Sequence, residues 1–254
     1  MPKDFRPLLD RLEPITLEEM TSIRLMNRID SKYLANEDQL ELLLDMVRQD
    51  YLVQETNGSR MANYSTLYLD DDQLTMYLNH HNRRLNRQKV RIRSYVDSNL
   101  NFFEVKTKNN HGRTKKKRFQ VEDCNQWNTP QAADFLAQYS MYGIGLDEIA
   151  PKIRNYFKRI TLVNRGRTER LTIDSMLRFH NMESGLDRDM DRLVVLEVKR
   201  DGNTPSPIMD IFRELRIHPS GFSKYCIGMA LTTPGIKCGN FKTKLRKIEK
   251  ITSI

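Results

Sequence analysis

The sequence predicts an α+β fold, in which eight antiparallel strands close into a tunnel flanked by helices. Eight segments have the length and composition of strands, tight turns join several of them into consecutive hairpins, and other segments have a helical period. Consecutive hairpins favour an antiparallel sheet, and eight strands are enough to close one into a barrel. We expect a single domain over residues 1–254, with a core at about 22–230 and a basic C-terminal tail at 238–254.

Helices are predicted where apolar residues recur on one face. The segments are 36–48, 71–81, 129–141 and 207–217, and the basic, amphipathic tail is expected to form a terminal helix. Asn36 is suited to cap the first of them, and a proline near the start of each of the last two suits a first helical turn. The tandem residues His80 and His81 are expected to be exposed.

Strands are predicted over most of the remaining chain. They cover 24–33, 62–69, 88–97, 101–108, 113–121, 154–163, 169–178 and 193–200. The turn at 97–99 joins the third and fourth strands as a tight hairpin, and the turn at 109–112 joins the fourth and fifth.

The composition is that of a folded protein with an anionic partner. Of the 254 residues, 39% are hydrophobic and 30% are charged, so a core is feasible and general disorder is not expected. The formal net charge of +9 predicts a partner such as nucleic acid, a membrane surface or a phosphorylated small molecule. Charge alone does not choose among these.

The cysteines and the apolar segments indicate a location. Cys124, Cys226 and Cys238 are far apart and have no metal-ligand spacing, which favours free thiols in a reducing compartment. No stretch approaches 18 apolar residues, and the first residues have no apolar signal-peptide region. We therefore expect a cytoplasmic protein without a membrane span.

Charge is concentrated on one alternating face of each predicted strand. Side chains two apart on a strand point to the same side. The residues that share such faces are Arg28, Asp30 and Lys32; Lys89, Arg91 and Arg93; Glu104, Lys106 and Lys108; Lys116, Arg118 and Gln120; Arg170, Thr172 and Asp174; and Glu197 and Lys199. The opposite faces are mostly apolar.

Two arrangements explain this pattern. In a plain amphipathic sheet the charged face is solvated, and for any one strand this is the simpler explanation. In a closed barrel the charged faces line a wet interior, and the apolar faces point outward beneath helices. So many cations in a confined space repel one another unless water and anions fill it. A chain of phosphates suits Arg and Lys, and a divalent metal for phosphoryl transfer takes carboxylate ligands.

The order of short motifs resembles a known family. The motifs are Arg-x-Asp-x-Lys-Tyr at 28–33, Tyr-x-Asp at 68–70, Lys-x-Arg-x-Arg-x-Tyr at 89–95, Glu-x-Lys at 104–106, Lys-x-Arg-Phe at 116–119, Arg-x-Thr-x-Asp at 170–174, Glu-x-Lys at 197–199 and Phe-Ser-Lys-Tyr at 222–225. Together they resemble the VTC domain, the catalytic domain of polyphosphate polymerases in the triphosphate tunnel metalloenzyme superfamily. The resemblance covers about residues 22–230.

The resemblance implies an activity and a site. It implies transfer of the γ-phosphoryl group of ATP to a polyphosphate chain, with Mn²⁺ or Mg²⁺. The basic residues that it implies to act in catalysis and phosphate binding are Lys32, Arg91, Arg93, Lys106, Lys116, Arg159, Arg170 and Lys224, with Ser223 as a further phosphate ligand and Glu197 as the metal ligand. Strand alternation adds Lys89, Arg118 and Lys199 to the phosphate-binding set, and Glu104 as a second candidate metal ligand.

Several alternatives stay open. Glu197 could pair with a cation instead of a metal, Glu104 could be an ion-pair member, and Asp70 and Asp174 could cap helices or order arginines. Lys115–Arg118 resembles a nucleic-acid patch, but strand alternation divides it between two faces, so we expect no nucleic acid partner. Partner proteins are not predicted.

Two features depart from the family pattern. Hydrolytic relatives in the superfamily begin with two metal-binding acids, whereas this chain has Arg28 and Asp30, which weakens the case for a simple triphosphatase. A family tyrosine corresponds to Phe157, although Tyr156 is adjacent. The functions that compete are a polyphosphate polymerase, a hydrolase of triphosphates or polyphosphate, and a module that binds polyphosphate or nucleic acid without catalysis.

Overall fold

The structure is a computed structural model that describes residues 2–23, 28–202 and 204–253. The strands are β1 Glu13–Thr16, β2 Arg28–Asn36, β3 Tyr51–Glu55, β4 Ala62–Asp71, β5 Arg87–Tyr95, β6 Leu100–Lys108, β7 Thr114–Val121, β8 Ile149–Asn164, β9 Glu169–Asn181, β10 Asp187–Met190 and β11 Leu193–Asp201. The helices are α1 Arg6–Leu9, α2 Leu17–Ser22, α3 Glu37–Met46, α4 Thr75–His81, α5 Pro130–Tyr139, α6 Pro207–Glu214, α7 Lys224–Thr232 and α8 Lys242–Thr252.

The predicted α+β class is confirmed, and each predicted strand corresponds to a strand of the structure. They are β2, β4 to β9 and β11, although residues 24–27 of the first predicted strand lie outside the described ranges. The predicted helices correspond to α3, α4, α5, α6 and α8, and both predicted hairpin turns are present. None of the described helices has the length and apolar character needed to cross a bilayer.

The prediction of a closed eight-stranded sheet is wrong. The sheet has eleven strands, and its main path runs β2-β11-β9-β8-β4-β5-β6-β7. All pairs along this path are antiparallel. β1 pairs in parallel with β3, β3 pairs with β8, and β10 pairs with β9. Among the described strands no ladder joins β7 to β2, so hydrogen bonds do not close the sheet.

A loop occupies the edge of β2 that closure would need. Tyr33 forms an isolated antiparallel bridge with Pro219, and the Ser220 backbone N–H donates to the Lys32 carbonyl at 2.8 Å. These bonds use backbone groups that β7 would otherwise pair with. The sheet therefore curls without sealing, and we call its curved inner side, which carries Lys89, Arg91 and Arg93, the concave face.

Helices cover the outer side of the sheet, as the alternating pattern predicts. Apolar side chains of β8, β9, β11 and β2 pack with α1, α3 and α6, and those of β5 and β6 pack with α5. Ile173 and Leu196 of the sheet belong to the same buried apolar cluster as Leu43 of α3 and Phe212 of α6. Because this side is apolar and covered, the charged residues of the same strands must point to the concave face.

α7 fills one end of the concave face. Its residue Gly228 lies so close to the sheet that an added Cβ would be 2.5 Å from the Phe179 ring and 2.6 Å from the Ile153 side chain. Tyr225 of the same helix stacks on Tyr68 of β4 at a centroid distance of 5.2 Å. The N-terminus of α7, and with it Lys224, therefore points into the remaining polar part of the concave face, which we call the groove.

Candidate functional site

Strand register places the predicted site residues in rows across the groove. In one row, Lys89, Lys106 and Lys116 lie side by side on β5, β6 and β7. In the next row Arg91, Glu104 and Arg118 are neighbours, and on the other side of the sheet Glu197 of β11 lies between Lys32 and Thr172. The cations Lys106 and Lys32 are both close enough to Glu197 to lower its pKa, so the curl brings β6 and β2 toward the same space.

Glu104 holds two of the cations. One of its oxygens accepts hydrogen bonds from Arg91 Nε at 2.8 Å and Arg91 Nη2 at 2.6 Å, and the other accepts from Lys116 Nζ at 3.1 Å. Glu104 is fully buried; burial alone would raise its pKa, but these cations and Arg93 lower it to about 2. A carboxylate with both oxygens already bonded favours the ion-pair interpretation over metal ligation.

Asp174 forms a second such centre at the other side of the groove. Its two oxygens accept from Arg159 Nε at 2.6 Å and Arg159 Nη2 at 2.8 Å, and it also accepts from Lys224 Nζ. Because Asp174 is buried, this contact fixes the guanidinium of β8 and the ammonium at the start of α7 relative to each other. Of the two alternatives for Asp174, the structure therefore favours the one in which it orders an arginine, here Arg159.

Arg93 lies on the concave face without such a partner. None of the described carboxylates forms an ion pair with it, its Nε is buried without a hydrogen bond, and its guanidinium lies 5.9 Å from the centre of the Tyr64 ring. Burial and the neighbouring cations Arg91 and Arg159 lower its pKa. Since an arginine remains protonated in proteins, Arg93 is a partly buried positive charge that an anion would compensate.

Ser223 presents a hydroxyl at the N-terminus of α7. Its Oγ accepts from Lys89 Nζ at 2.9 Å and, as the cap of α7, from the Cys226 backbone N–H at 3.2 Å. Both lone pairs of the hydroxyl are thus in use, and its own proton remains to be donated. The positive end of the helix dipole adds to the attraction for an anion here.

Glu197 differs from the other two carboxylates in its surroundings. The ammonium groups of Lys199 and Lys32 lie 3.5 and 3.6 Å from its Oε2, and none of the described residues donates a hydrogen bond to it. Burial alone would raise its pKa, but Lys32 and Lys199 lead a set of cations that lower it to about 2. It is ionised, and of the three carboxylates Glu104, Asp174 and Glu197 it is the one whose oxygens accept no hydrogen bond from the described residues.

A metal fits this position only with ligands from outside the chain. Within the described ranges, no three His, Cys, Asp or Glu side chains are grouped closely enough to hold a metal ion. Mg²⁺ and similar hard ions are often bound by one or two carboxylates together with substrate phosphates and water. The donor set around Glu197 fits that kind of binding.

Lys106, like Lys224, is a predicted cation whose pKa falls to about 7. Its side chain reaches solvent, yet desolvation by the surrounding protein, together with Arg91 and Lys89, lowers its pKa to about 7. An anion in the groove would oppose these effects and raise this pKa.

Arg170 and Arg118 lie at the margins of the groove. The Arg170 guanidinium donates to the Met20 carbonyl of α2 at 2.8 Å, while Arg170 itself neighbours Lys199 across the sheet. Arg118 is exposed on β7, with its guanidinium 4.3 Å from the centre of the Phe102 ring. The side chain of Arg28 lies outside the described part of the chain.

Sequence reasoning missed Tyr68 and the full role of Asp70. Burial alone would raise the pKa of the Tyr68 phenol, but the nearby cations of Arg91, Lys89 and Arg93 lower it. Asp70, which is buried, accepts from the backbone N–H of Met76 and Tyr77 and from the Tyr225 hydroxyl. It caps α4, as one alternative held, and also ties α4 to α7. The Tyr-x-Asp motif at 68–70 was the available signal.

Phe157, the departure from the family pattern, lies on the concave face. It is buried, its ring stacks on Tyr64 at 5.1 Å, and Lys224 Nζ lies 4.1 Å from its centre. The adjacent Tyr156 is 46% exposed and belongs to the other side of the strand, so it does not supply the missing hydroxyl. The tyrosine that contacts both Phe157 and Arg159 is Tyr64.

Comparisons with known proteins identify the family and the fold of the chain. The chain matches the family model described as VTC domain over residues 27–233. No protein of curated function matches the sequence.

Two solved structures have a similar fold. A protein from Bacillus halodurans, provisionally assigned as an adenylate cyclase, is 13% identical with a TM-score of 0.51, over 78% of this chain and 96% of that one. A protein from Hippeastrum, provisionally assigned as an adenylyl cyclase and described as having a dominant triphosphatase activity, is 14% identical with a TM-score of 0.50, over 82% of this chain and 98% of that one. At these identities the likeness concerns the fold.

Proposed function

The chain belongs to the VTC domain family, and from that membership and the groove we propose that it transfers the γ-phosphoryl group of ATP to a polyphosphate chain. The proposed substrates are therefore ATP and linear polyphosphate, and the proposed location is the cytoplasm. The proposed site is the groove with Arg91, Arg93, Arg159, Lys224 and Glu197 at its centre. The other proposed phosphate ligands surround them: Lys32, Lys89, Lys106, Lys116, Arg118, Arg170, Lys199 and Ser223.

One observation carries the proposal. Arg93 is a partly buried arginine without a carboxylate partner among the described residues, and its neighbours Arg91 and Arg159 both have one. An uncompensated buried charge is costly, and an anion that arrives as substrate removes the cost. Both phosphate and carboxylate suit the planar fork of an arginine, and the number of cations in the groove favours the more highly charged phosphate chain.

In the proposed reaction no side chain attacks phosphorus. An oxygen of the acceptor's terminal phosphate attacks the γ-phosphorus of ATP, the bond from the γ-phosphorus to the β–γ bridging oxygen breaks, and ADP leaves with that electron pair. Arg91 and Arg159, fixed by Glu104 and Asp174, hold the two phosphate chains in line. Positioning and electrostatic stabilisation supply most of the acceleration in phosphoryl transfer.

Glu197 is the proposed protein ligand of a divalent metal. Mn²⁺ or Mg²⁺ held there together with substrate oxygens would neutralise charge on the β- and γ-phosphates. Glu104 is the weaker candidate, because both of its oxygens are bonded to cations.

Hydrolysis is the second candidate function. The groove is open to solvent at Lys106, so water could replace the polyphosphate acceptor in the same geometry. A dominant triphosphatase activity is described for the Hippeastrum protein, which supports this candidate.

One assay separates the two. Purified protein is incubated with ATP and Mn²⁺, and both long-chain polyphosphate and free phosphate are measured over time. We expect polymer, which Arg91→Ala and Glu197→Ala each abolish. Free phosphate without polymer would establish the hydrolase instead, and binding without turnover would leave a polyphosphate-binding module.

Adjacent lysines on β7 supply a matched control. Lys116 bonds Glu104 in the groove, whereas the side chain of its neighbour Lys117 lies over the Tyr139 ring of α5 at 5.4 Å. Lys116→Ala is expected to reduce polymer formation, and Lys117→Ala is not. Equal effects of both would mean that general charge, rather than the groove, governs the activity.

A further inference from the structure

The cationic surface continues beyond the groove toward the start of β5. Arg87 precedes Lys89 by two positions and pairs across the strands with Lys108, as Lys89 pairs with Lys106. Residues two apart on a strand share a face, so Arg87 and Lys108 add a further row to the same surface. From Glu104 to the end of the strands at Arg87 and Lys108, this face of β5, β6 and β7 carries no acidic side chain.

α8 lies against the end of this surface. An added Cβ on Gly221 would be 3.7 Å from Lys244 Nζ, so this ammonium stands beside the loop that leads to Ser223. One turn further along α8, Lys247 Nζ donates to the Pro219 carbonyl of the same loop at 3.4 Å.

His81, the second of the two adjacent histidines, holds the start of α8 in this place. Contrary to the sequence expectation, His81 is buried, and its Nε2 accepts from the Asn240 backbone N–H at 3.1 Å. The Asn240 side chain in turn donates to the His81 carbonyl at 2.9 Å. Because Asn240 lies just before α8, these bonds hold the start of the helix against α4.

The cations at this end of the groove are held together by backbone contacts. The Arg83 backbone N–H donates to the His80 carbonyl at 3.2 Å, and the bonds from Asn240 to His81 hold the start of α8 beside them. Burial lowers the pKa of Lys244, and the guanidinium groups of Arg83 and Arg87 lower it further. Burial, Lys89, Arg87, Lys244 and Lys108 together lower the pKa of His80 to about 2. His80 is therefore neutral, and its proximity to both Lys89 and Lys244 makes the inner and outer cations one continuous set.

No described carboxylate compensates the outer cations. In the ranges that the structure covers, Arg83, Arg87, Lys108 and Lys244 take part in no ion pair with an acid. Cations held this close without acids between them favour an anion that bridges them.

We propose that Arg83, Arg87, Lys108 and Lys244 form an outer anion subsite, which takes the phosphates of a linear polyphosphate chain beyond the segment held in the groove. The inference rests on the proposed function and adds a preference for long phosphate chains over short ones. Arg93 and Arg87 are six residues apart on one strand, about 20 Å at the rise of a β-strand, a distance that three linked phosphates do not span. The subsite therefore distinguishes polyphosphate from triphosphate.

The test compares binding of two inorganic anions, long-chain polyphosphate and tripolyphosphate, by calorimetry at several salt concentrations. The variant is Arg83→Gln with Lys244→Gln, and the matched control is Lys242→Gln with Lys250→Gln, which removes two exposed lysines from α8 itself. We expect the variant to lose about tenfold in affinity for polyphosphate with a flatter salt dependence, and less than twofold for tripolyphosphate. The control is expected to bind both anions as the unaltered protein does.

Other results would overturn the subsite. These are equal losses for both anions, no loss for polyphosphate, an equal loss in the control, or single-stranded DNA that competes as well as polyphosphate. Lys244→Arg keeps the charge and should retain polyphosphate binding, which separates loss of the cation from loss of folding at this half-buried position. If the unaltered protein bound neither anion, the proposed function would fail as well; if it bound both and the variant did not discriminate, only the subsite would fail.

Discussion

At the scale of single residues, the arginines of the groove have different roles. Arg91 and Arg159 are each held by a buried carboxylate, whereas Arg93 has no such partner among the described residues. Strand alternation predicted that Arg91 and Arg93 share a face, and they do. It could not predict which cation is compensated, because that depends on Glu104 and Asp174, which other strands contribute.

Replacing Arg93 is expected to separate stability from binding. Arg93→Met removes a partly buried charge that has no carboxylate partner and keeps an unbranched side chain, so the free energy of unfolding should rise by about 1 kcal/mol. Tripolyphosphate binding should be lost. Denaturant unfolding and calorimetry measure the two effects.

Arg91→Met is the matched comparison. It leaves Glu104 with one cation instead of two, so the free energy of unfolding should fall. A loss of stability in Arg93→Met as large as that in Arg91→Met would contradict the assignment of Arg93 as the uncompensated charge.

The low pKa of Lys106 predicts a pH dependence of binding. Because the pKa is about 7, the free protein loses this charge as pH rises above neutrality, and an anion that needs the ammonium must then restore the proton. Between pH 7 and 8.5, the affinity for tripolyphosphate should fall about tenfold relative to that of Lys106→Arg, whose charge does not titrate.

Tripolyphosphate itself also ionises in this pH range. Because both proteins bind the same anion, this effect on affinity cancels in the ratio of the two affinities. Parallel pH profiles for the two proteins would show that Lys106 is charged throughout this range, or that it does not contact the anion.

At the scale of elements, the sequence did not predict α7, nor the short helices α1 and α2. Residues Tyr225 to Met229 of α7 are all buried, so the segment has no polar face and no helical period to detect. The Phe-Ser-Lys-Tyr motif gave its position but not its conformation. The short strands β1, β3 and β10 were missed because four or five residues are too few for a pattern.

Gly228→Ala tests the placement of α7. The added Cβ would be 2.5 Å from the Phe179 ring, so the helix or the ring must move, and we expect a loss of about 1–3 kcal/mol in the free energy of unfolding. Phosphate binding should weaken with it, because Ser223 and Lys224 move with the helix.

Gly239→Ala provides the comparison for this change. No atom lies within 4 Å of a Cβ added there, so stability and binding should stay as they are. An unchanged thermal unfolding midpoint for Gly228→Ala would mean that α7 does not pack on the sheet in this way.

At the scale of the whole molecule, the sequence predicted the strands and the charged side of the sheet but not how the sheet ends. The alternation of charged and apolar side chains is a property of each strand by itself, and it predicted which side of each strand carries charge. Closure depends on whether β2 and β7 meet, and the loop at Pro219 and Ser220 competes for the same edge of β2. The sequence patterns of β2 and β7 do not indicate that this loop pairs with β2 in place of β7. The curl alone brings the cations of β2, β5, β6 and β8 into one groove.

The central claim is that this groove on the concave face binds a chain of phosphates. A crystal structure with tripolyphosphate tests it most directly. We expect phosphate oxygens within hydrogen-bond distance of Arg93, Arg91, Arg159 and Lys224, with the Ser223 hydroxyl as a further donor. Tripolyphosphate bound on the outer side of the sheet, or a groove that stays without anion at saturating concentration, would contradict the claim.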